Sequence, residues 1–223
     1  VELTRRSILR GAAAAALLSA TGAKAVSQRK PSIMPRPFNR ERFVEDCVIA
    51  HRAEGMAAVQ ELLTEALSDH ASVLAGLGPP REAGLDVMHR SPDFTIFAAH
   101  WTPQMNLLPH DHAMAALIGI YSGREDNILW RRGAEGIEAV EARCLFEGDV
   151  AALDANAIHS VTNPLLRFTG GIHIYDGDFF EAERHQWDPE TLVEEPSDGD
   201  TIRAMFAREN ERYSSACDRN AVG

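Results

Sequence analysis

Three histidines are the residues of this chain whose types and spacing best suit metal chemistry. His110 and His112 stand two positions apart in Leu-Pro-His-Asp-His, and His159 lies in a later segment. Residues two apart in a β-strand point to the same side, so the pair projects together while Asp111 faces the other way. Neutral imidazole is a good ligand for zinc, iron, copper and nickel. The pair therefore predicts part of a metal site whose remaining ligand comes from elsewhere in the chain.

Short β-rich runs separated by turns surround these histidines and must position them. The turn signals, such as Ser122-Gly123 and Asn163-Pro164, come at intervals that are typical of an all-β sandwich or barrel. A closing barrel would turn the histidine pair inward. The β-rich runs cover residues 94–101, 115–121 and 168–175.

A block of turn residues leads from Gly148 to His159 and Asn163. The second motif of the cupin superfamily contains Gly, Pro, Gly, His and Asn at fixed places. The three residues named fall at the places of its first Gly, its His and its Asn. Asp154 and Asn156 stand where the family has Pro and the inner Gly, and both are competent turn residues. The block thus resembles the part of a cupin barrel that supplies a further metal ligand.

The histidine pair resembles the first cupin motif, which contains His-x-His. Gln104 occupies the place of the leading Gly of that motif, and residues 113–117 offer no oxygen ligand where many cupins place a Glu. The two motifs imply a cupin double-stranded β-helix, a jelly-roll barrel with an all-β core, N-terminal α-helices and a short C-terminal helix. The resemblance also implies that His110, His112 and His159 ligate one divalent metal.

A ligand set of three histidines without a carboxylate narrows the resemblance. Such a set leaves the full charge of a dication and up to three open positions, which can bind an anionic substrate and O2 together. Among cupins it is similar to that of the thiol dioxygenases, which include cysteine dioxygenase and mercaptopropionate dioxygenase. The chain most resembles small bacterial proteins described as cysteine dioxygenase-like. The resemblance implies Fe(II) as the cofactor, with Mn, Ni and Zn as alternatives.

A later strand carries a segment of the same kind. Gly171-Ile172-His173-Ile174-Tyr175 resembles the Ser-x-His-x-Tyr segment that lines the iron pocket of thiol dioxygenases. The resemblance implies catalytic roles for Tyr175, which would hydrogen-bond the substrate or a bound oxygen species, and for His173, which would orient the Tyr175 hydroxyl. Gly171 replaces the family's Ser, and no Cys stands at Ala116 or Leu117 to form the thioether crosslink of some members. A buried, hydrogen-bonded core pair is the alternative interpretation.

Two arginines are candidates for binding a substrate carboxylate. Arg90 lies roughly where cysteine dioxygenases carry such an Arg, and a guanidinium is well shaped for a bidentate contact. Arg167 is the second candidate. A surface or structural role is the alternative for Arg90.

These features together predict a non-heme iron(II) thiol dioxygenase. It would convert a small mercapto-carboxylic acid, of the cysteine or 3-mercaptopropionate type, and O2 into a sulfinic acid. Two other functions stay open: a non-catalytic cupin that binds a metal or small ligand, and a different metal-dependent cupin dioxygenase. The sequence indicates neither which thiol is used nor which oligomeric state the protein adopts.

The charge balance and the cysteines exclude other classes of function. With 33 acidic and 22 basic residues, a formal net charge of −11, the chain lacks the clustered basic surface that binding to nucleic acid requires. Cys47, Cys144 and Cys217 lie far apart and form no Cys-x-x-Cys pair. We therefore expect free thiols rather than a zinc knuckle or a disulfide framework.

The first 25 residues resemble an export signal. Arg5 and Arg6 precede an apolar run that is too short for a transmembrane helix, and Ala23-Lys24-Ala25 resembles a cleavage site. The Arg pair resembles a twin-arginine signal. This pattern predicts a periplasmic protein without stable membrane insertion, whereas a start of translation near Met34 would leave the protein cytoplasmic.

Apolar residues recur at helical spacing between residues 41 and 77, which predicts two or three amphipathic helices before the barrel. One more helix is predicted over residues 201–211, and the last ten residues are predicted to be disordered. The predicted segments are a signal peptide (1–25), a linker (26–37), a helical segment (38–83), a cupin barrel (84–192) and a C-terminal helix with its tail (193–223).

Overall fold

The computed structural model describes residues 37–134, 136–197 and 199–221, with side chains described as far as residue 216. The predicted signal peptide (1–25) and all but the last residue of the predicted linker (26–37) lie outside the described residues. The export route therefore stays a prediction.

Three helices precede the first strand, as expected from the periodicity. Asn39 caps the first by accepting a hydrogen bond from Arg42 N at 2.8 Å, and Asp69 caps the third in the same way. Gly55, with a φ of 76°, separates the first two in a backbone region that favours glycine. Among the described helices of the chain, none is both long enough and apolar enough to cross a membrane. The helices are α1 (Arg40–Glu54), α2 (Met56–Leu67) and α3 (His70–Leu77).

The strands that follow form two antiparallel sheets. Sheet 1 has the order β1-β2-β9-β4-β7, and sheet 2 has the order β11-β10-β3-β8-β5-β6. The strands are β1 (Gly84–Ser91), β2 (Phe94–Trp101), β3 (Asn106–Asp111), β4 (Ala116–Ser122), β5 (Arg124–Gly133), β6 (Gly136–Phe146), β7 (Val150–Leu153), β8 (Ile158–Thr162), β9 (Thr169–Tyr175), β10 (His185–Trp187) and β11 (Glu194–Pro196).

The strand pairing identifies the architecture. β5 pairs with β6, β4 with β7, β3 with β8 and β2 with β9, so each pair encloses the one before it. This nested pairing is that of one long antiparallel ribbon, and successive pairs of the ribbon lie alternately in the two sheets. A ribbon wound in this way is a double-stranded β-helix, or jelly roll. The predicted double-stranded β-helix fold is confirmed.

Sheet 1 is covered on both faces, which explains why its central strands are apolar throughout. Along β2, Phe97 and Trp101 point between the two sheets, whereas Ile96 points toward the helices. Helix α2 comes close to β4 at Gly119, where a Cβ atom would lie 2.4 Å from Leu67 Cδ1. The helices therefore stabilise sheet 1 from outside and leave the space between the sheets for a cavity.

The C-terminal helix, α4 (Gly199–Ala221), is longer than predicted and occupies residues for which a disordered tail is expected. Its contacts with the barrel explain the difference. Phe206 stacks on Trp101 with ring centroids 5.7 Å apart, and beyond the predicted range Arg212 donates to Pro103 O at 2.7 Å. Each contact joins residues that are more than a hundred positions apart in the chain. Sequence periodicity alone does not reveal such contacts.

Candidate metal centre

The structure brings the three predicted histidines together. His110 in β3 pairs directly with His159 in β8, and His112 follows the last residue of β3. One ligand nitrogen from each ring lies within 4.8 Å of the others. Asp111 faces away and accepts from His185 N at 2.8 Å, as the alternation of the strand predicts. No other group of three such side chains is close enough to hold an ion among the described residues.

Hydrogen bonds on the outer nitrogens orient two of the rings. His110 Nδ1 donates to Leu108 O at 3.0 Å, and His159 Nδ1 donates to Asn127 Oδ1 at 2.6 Å. Both acceptors are carbonyl oxygens, so in each ring the Nε2 lone pair faces the cluster. Metal-bound histidines commonly make such a bond through the other ring nitrogen. Two of the three imidazoles are thus held in the tautomer that ligates through Nε2.

The cluster is neutral in the folded protein. Burial lowers the pKa of His110 to about 4. Burial, followed by the charges of the neighbouring histidines, lowers the pKa values of His112 and His159 well below 6.5. Neutral imidazole is the form that ligates a metal.

The geometry also fits a bound ion. His112 Nε2 and His159 Nε2 lie only 3.1 Å apart. A metal about 2.0–2.1 Å from each imidazole nitrogen places such nitrogens roughly 3.3 Å apart. The residues present therefore suit a divalent metal with three nitrogen ligands.

The cluster opens into a cavity of about 320 Å³ between the two sheets. Most of its wall is apolar, and helix α4 and the loop after β9 contribute to it as well as the barrel strands. Its polar groups beside the three ligands include His173, Tyr175 and Arg184. A concave, mostly apolar pocket with a few convergent polar groups is the usual form of a small-molecule site. The apolar wall includes Leu85, Val87, Phe97, Phe179, Ile202 and Phe206.

Tyr175 and His173 lie beside the three clustered histidines, on the face of β9 that the alternation predicts. The Tyr175 ring packs edge-on against His112 with centroids 4.9 Å apart, and its hydroxyl oxygen is 3.3 Å from His173 Nδ1. Both side chains are buried. Burial raises the pKa of Tyr175, so its hydroxyl stays protonated. The cavity therefore contains a tyrosine hydroxyl next to one ligand and an imidazole behind that hydroxyl.

The structure brings neither Arg90 nor Arg167 to the cavity. Arg90 lies at the end of β1, beyond a register shift, and contacts Asp178 at 3.0 Å and Glu181 at 2.8 Å in the turn after β9. Arg167 contacts Glu147 at 3.0 Å. Neither arginine is among the residues that line the cavity. Their positions favour the alternative structural role, because each guanidinium is already paired with a carboxylate.

Arg184 is a cavity residue that the sequence analysis missed. Its guanidinium lies 4.0 Å from the centre of the Phe179 ring, and its Nε is buried without a hydrogen-bond partner. Burial lowers its pKa, although the nearby Tyr175 and Asp111 act against this. No ion pair to a carboxylate occurs at this side chain within the described part of the chain. No signal marked it beforehand, since it lies in an irregular segment after β9.

Glu125 is a second residue that the sequence analysis missed. It lies on β5 with 0 % exposure and accepts hydrogen bonds from Trp101 Nε1 at 2.9 Å and Asn127 Nδ2 at 3.0 Å. Trp101 is thus both a packing residue and a donor to this carboxylate. One signal in the sequence could have revealed it. Glu125 and Asn127 stand two positions apart, so both lie on one face of the strand if residues 124–133 form one.

The likeness of this chain to known proteins lies in its structure. A scan against models of protein families found no match, and a search of curated proteins found none either. A conserved Klebsiella pneumoniae protein with a double-stranded β-helix domain is 16 % identical, with a TM-score of 0.40 over 51 % of this chain and 87 % of that one. A cupin family protein from Methanocaldococcus jannaschii is 11 % identical, with a TM-score of 0.39 over 46 % and 86 %.

An enzyme also occurs among the similar structures. Oxalate decarboxylase from Bacillus subtilis is 15 % identical, with a TM-score of 0.38 over 49 % of this chain and 29 % of that one. All these likenesses concern the fold. The assignment of the fold rests on the nested strand pairs, and any assignment of function rests on the geometry of the cavity.

Proposed function

We propose that this protein is a non-heme iron(II) thiol dioxygenase. It would oxidise the thiol of a small mercapto-carboxylic acid with O2, adding both oxygen atoms to sulfur to give the sulfinic acid. One observation carries the proposal. A neutral cluster of three histidines, without a carboxylate ligand, shares one cavity with a protonated tyrosine and with Arg184, whose buried Nε has no hydrogen-bond partner among the described residues.

His110, His112 and His159 would hold the ion. Because all three are neutral, they leave its full positive charge and several open positions, which suits a thiolate and O2 as further ligands. When bound, the metal lowers the pKa of the substrate thiol and activates O2 for transfer to sulfur. Iron(II) is our proposal for the native metal, since imidazole ligands suit manganese less well than iron.

Arg184 would bind the substrate carboxylate, in the role that the sequence analysis gave to Arg90. Its buried Nε has donor capacity that no protein group uses. A guanidinium binds a carboxylate through two parallel hydrogen bonds, which fixes orientation as well as position. The Phe179 ring under the guanidinium keeps its plane in place. A substrate held there would direct its thiol along the cavity toward the three histidines.

Tyr175 would act on the reacting end of the substrate. Its hydroxyl is protonated and lies beside the His112 ring, so on substrate binding it can turn its single proton toward a sulfur or oxygen atom at the metal site. In the substrate-free protein the same hydroxyl lies 3.3 Å from His173 Nδ1. The apolar wall of the cavity keeps bulk water away from both groups.

Oxygen uptake by anaerobically purified protein tests the proposal. Metal-free protein is loaded with Fe(II), and O2 consumption is followed with cysteine, 3-mercaptopropionate and cysteamine. We expect one O2 consumed per sulfinic acid formed with at least one carboxylate thiol. Stoichiometric zinc in the purified protein, with no turnover of any thiol after iron loading, would instead support the non-catalytic binding module.

A further inference from the structure

A carboxylate in the core connects the two halves of the site. Glu125 is completely buried, and an ionised carboxylate is costly to bury unless it is hydrogen-bonded and paired. Its Oε1 accepts from Asn127 Nδ2 at 3.0 Å and its Oε2 accepts from Trp101 Nε1 at 2.9 Å. Burial raises its pKa, but His173, Asn127 and Trp101 outweigh this effect and leave the pKa below its ordinary value. Glu125 is therefore an acceptor only.

The first connection from this carboxylate runs to a metal ligand. Because Glu125 only accepts, Asn127 must turn its amide NH2 group toward it and its Oδ1 the other way. That Oδ1 lies 2.6 Å from His159 Nδ1 and accepts its proton. The proton on Nδ1 leaves the lone pair of the ring on Nε2, which faces the other two histidines. The carboxylate thus determines, through one amide, which tautomer the ligand adopts.

The second connection runs to Tyr175. His173 Nε2 is buried without a hydrogen-bond partner, and Glu125 Oε2 lies 3.5 Å from it. Tyr175, which is 3.3 Å from Nδ1 of the same ring, can either donate or accept. In the singly protonated form of the ring, the proton lies on Nε2, because this nitrogen faces Glu125 Oε2, which can only accept. Nδ1 is then left to accept the Tyr175 proton.

Gly171 gives this arrangement its space. A Cβ atom at this position would lie 3.3 Å from His173 Nε2 and 3.4 Å from Gly119 O. The first contact is tighter than usual, so a side chain here would shift the imidazole by a few tenths of an ångström. Glycine therefore leaves the Nε2 edge of the ring open to the carboxylate.

We propose that Glu125 is a positioning residue that sets the tautomers of both His159 and His173. The first tautomer orients a metal ligand, and the second orients the Tyr175 hydroxyl. The part of this proposal that concerns Tyr175 rests on the proposed function. The part that concerns His159 requires only that the cluster binds a metal.

The test is a ¹⁵N NMR spectrum of the histidine rings in metal-free protein, combined with Zn²⁺ affinity from competition with a chelator. In the wild type we expect His159 protonated at Nδ1 and His173 protonated at Nε2. Glu125→Gln has nearly the same shape but offers one acceptor instead of two, which allows the Asn127 amide to turn over. We expect His159 to lose its Nδ1 proton in part and Zn²⁺ binding to weaken about 10- to 100-fold.

Asn127→Ala separates the two connections. It should weaken Zn²⁺ binding as much as Glu125→Gln does, while the His173 tautomer stays as in the wild type. The double variant should bind Zn²⁺ no more weakly than Asn127→Ala alone, because both changes break the same chain of hydrogen bonds. Glu147→Gln, the same substitution at a carboxylate outside the cavity, is the control and should change neither quantity.

Several results would overturn the proposal. One is a wild-type protein with His173 protonated at Nδ1 only. Another is a folded Glu125→Gln variant whose Zn²⁺ affinity and His159 tautomer match the wild type. If Glu125→Gln does not fold, the histidine tautomers of the wild type and the Zn²⁺ affinity of Asn127→Ala still test the proposal. None of these measurements requires turnover, so a failure of thiol oxidation alone would leave them unaffected.

Discussion

At the scale of single residues, local motifs predicted the three clustered histidines but neither Arg184 nor Glu125. His110, His112 and His159 lie in short segments with strand spacing and turn signals, so the sequence predicts their convergence. Arg90 was chosen by position along the chain, yet it lies in an ion pair at the end of β1. Arg184 reaches the cavity from an irregular segment whose path depends on the rest of the barrel. The sequence does not single out Glu125, because the feature that distinguishes it from other glutamates is its complete burial in the folded protein.

The role of Arg184 predicts a substrate-dependent effect. Arg184→Met keeps most of the aliphatic stem and removes the charge, so KM for 3-mercaptopropionate should rise about 10- to 100-fold, as the loss of a charge-assisted hydrogen bond implies. KM for cysteamine, which has no carboxylate, should not rise. Steady-state O2 uptake measures the KM values for both thiols. The matched control Arg90→Met removes the same charge outside the cavity and should spare both substrates. Equal losses on the two thiols in Arg184→Met would remove Arg184 from the carboxylate site.

The two cysteines with described side chains differ sharply in environment. Burial raises the pKa of Cys47 to about 12, and Cys144 is exposed. A thiol with that pKa is about one part in 10⁴ thiolate at pH 8, and the thiolate is the reactive form. Iodoacetamide at pH 8 should therefore alkylate Cys144 but not Cys47 in the native protein, and both in urea. Peptide mass spectrometry reads the two sites separately. Native alkylation of Cys47 at the rate of Cys144 would contradict the burial of Cys47, which lies in α1.

At the scale of elements, continuous apolar runs were enough to locate the central strands. The runs predicted at 94–101, 115–121 and 168–175 correspond to β2, β4 and β9 with differences of one residue at most. These strands are buried on both faces, so their composition alone marks them. Helix α4 extends beyond the predicted range, where Arg212 contacts Pro103, a residue far away in the chain that helical periodicity does not reveal.

The close contact between α2 and β4 predicts a stability difference between two glycines. A Cβ atom at Gly119 would lie 2.4 Å from Leu67 Cδ1 and 3.1 Å from Leu63 Cδ2, and both leucines are fully packed. Gly119→Ala should therefore lower the free energy of unfolding by about 1–3 kcal/mol through overpacking. Gly133→Ala, whose Cβ has no neighbour closer than 3.7 Å, should change it by less than about 0.5 kcal/mol. Urea unfolding of the two variants measures both changes in the free energy of unfolding. Equal changes would contradict the close packing of α2 on the sheet.

At the scale of the whole molecule, the nested strand pairs and α4 together form the cavity. The pairing joins strands far apart in the chain, so composition and periodicity indicate only an all-β barrel. The resemblance to cupins supplied the jelly-roll topology. The helix adds Ile202 and Phe206 to the cavity wall, a contribution that the sequence does not reveal.

The size of the cavity predicts tolerance for larger thiols. Its volume of about 320 Å³ is roughly twice the 150 Å³ or so of an engineered cavity that holds a six-carbon ring. Ile202→Trp should fill part of this space and lower kcat/KM for long or aromatic mercapto acids about tenfold more than for 3-mercaptopropionate. Ile49→Trp, on an exposed position of α1, is the control. Equal losses for short and long thiols in Ile202→Trp would show that α4 does not limit the substrate.

The most direct test of the central claim is the stoichiometry of Fe(II) bound to anaerobically prepared, metal-free protein. The convergence of the three imidazoles predicts one ion per chain in the wild type and in the control His51→Ala, whose ring hydrogen-bonds Asp176 away from the cluster. It predicts loss of that ion in His159→Ala. Retention of a full equivalent of Fe(II) by folded His159→Ala would contradict a metal centre built on His110, His112 and His159.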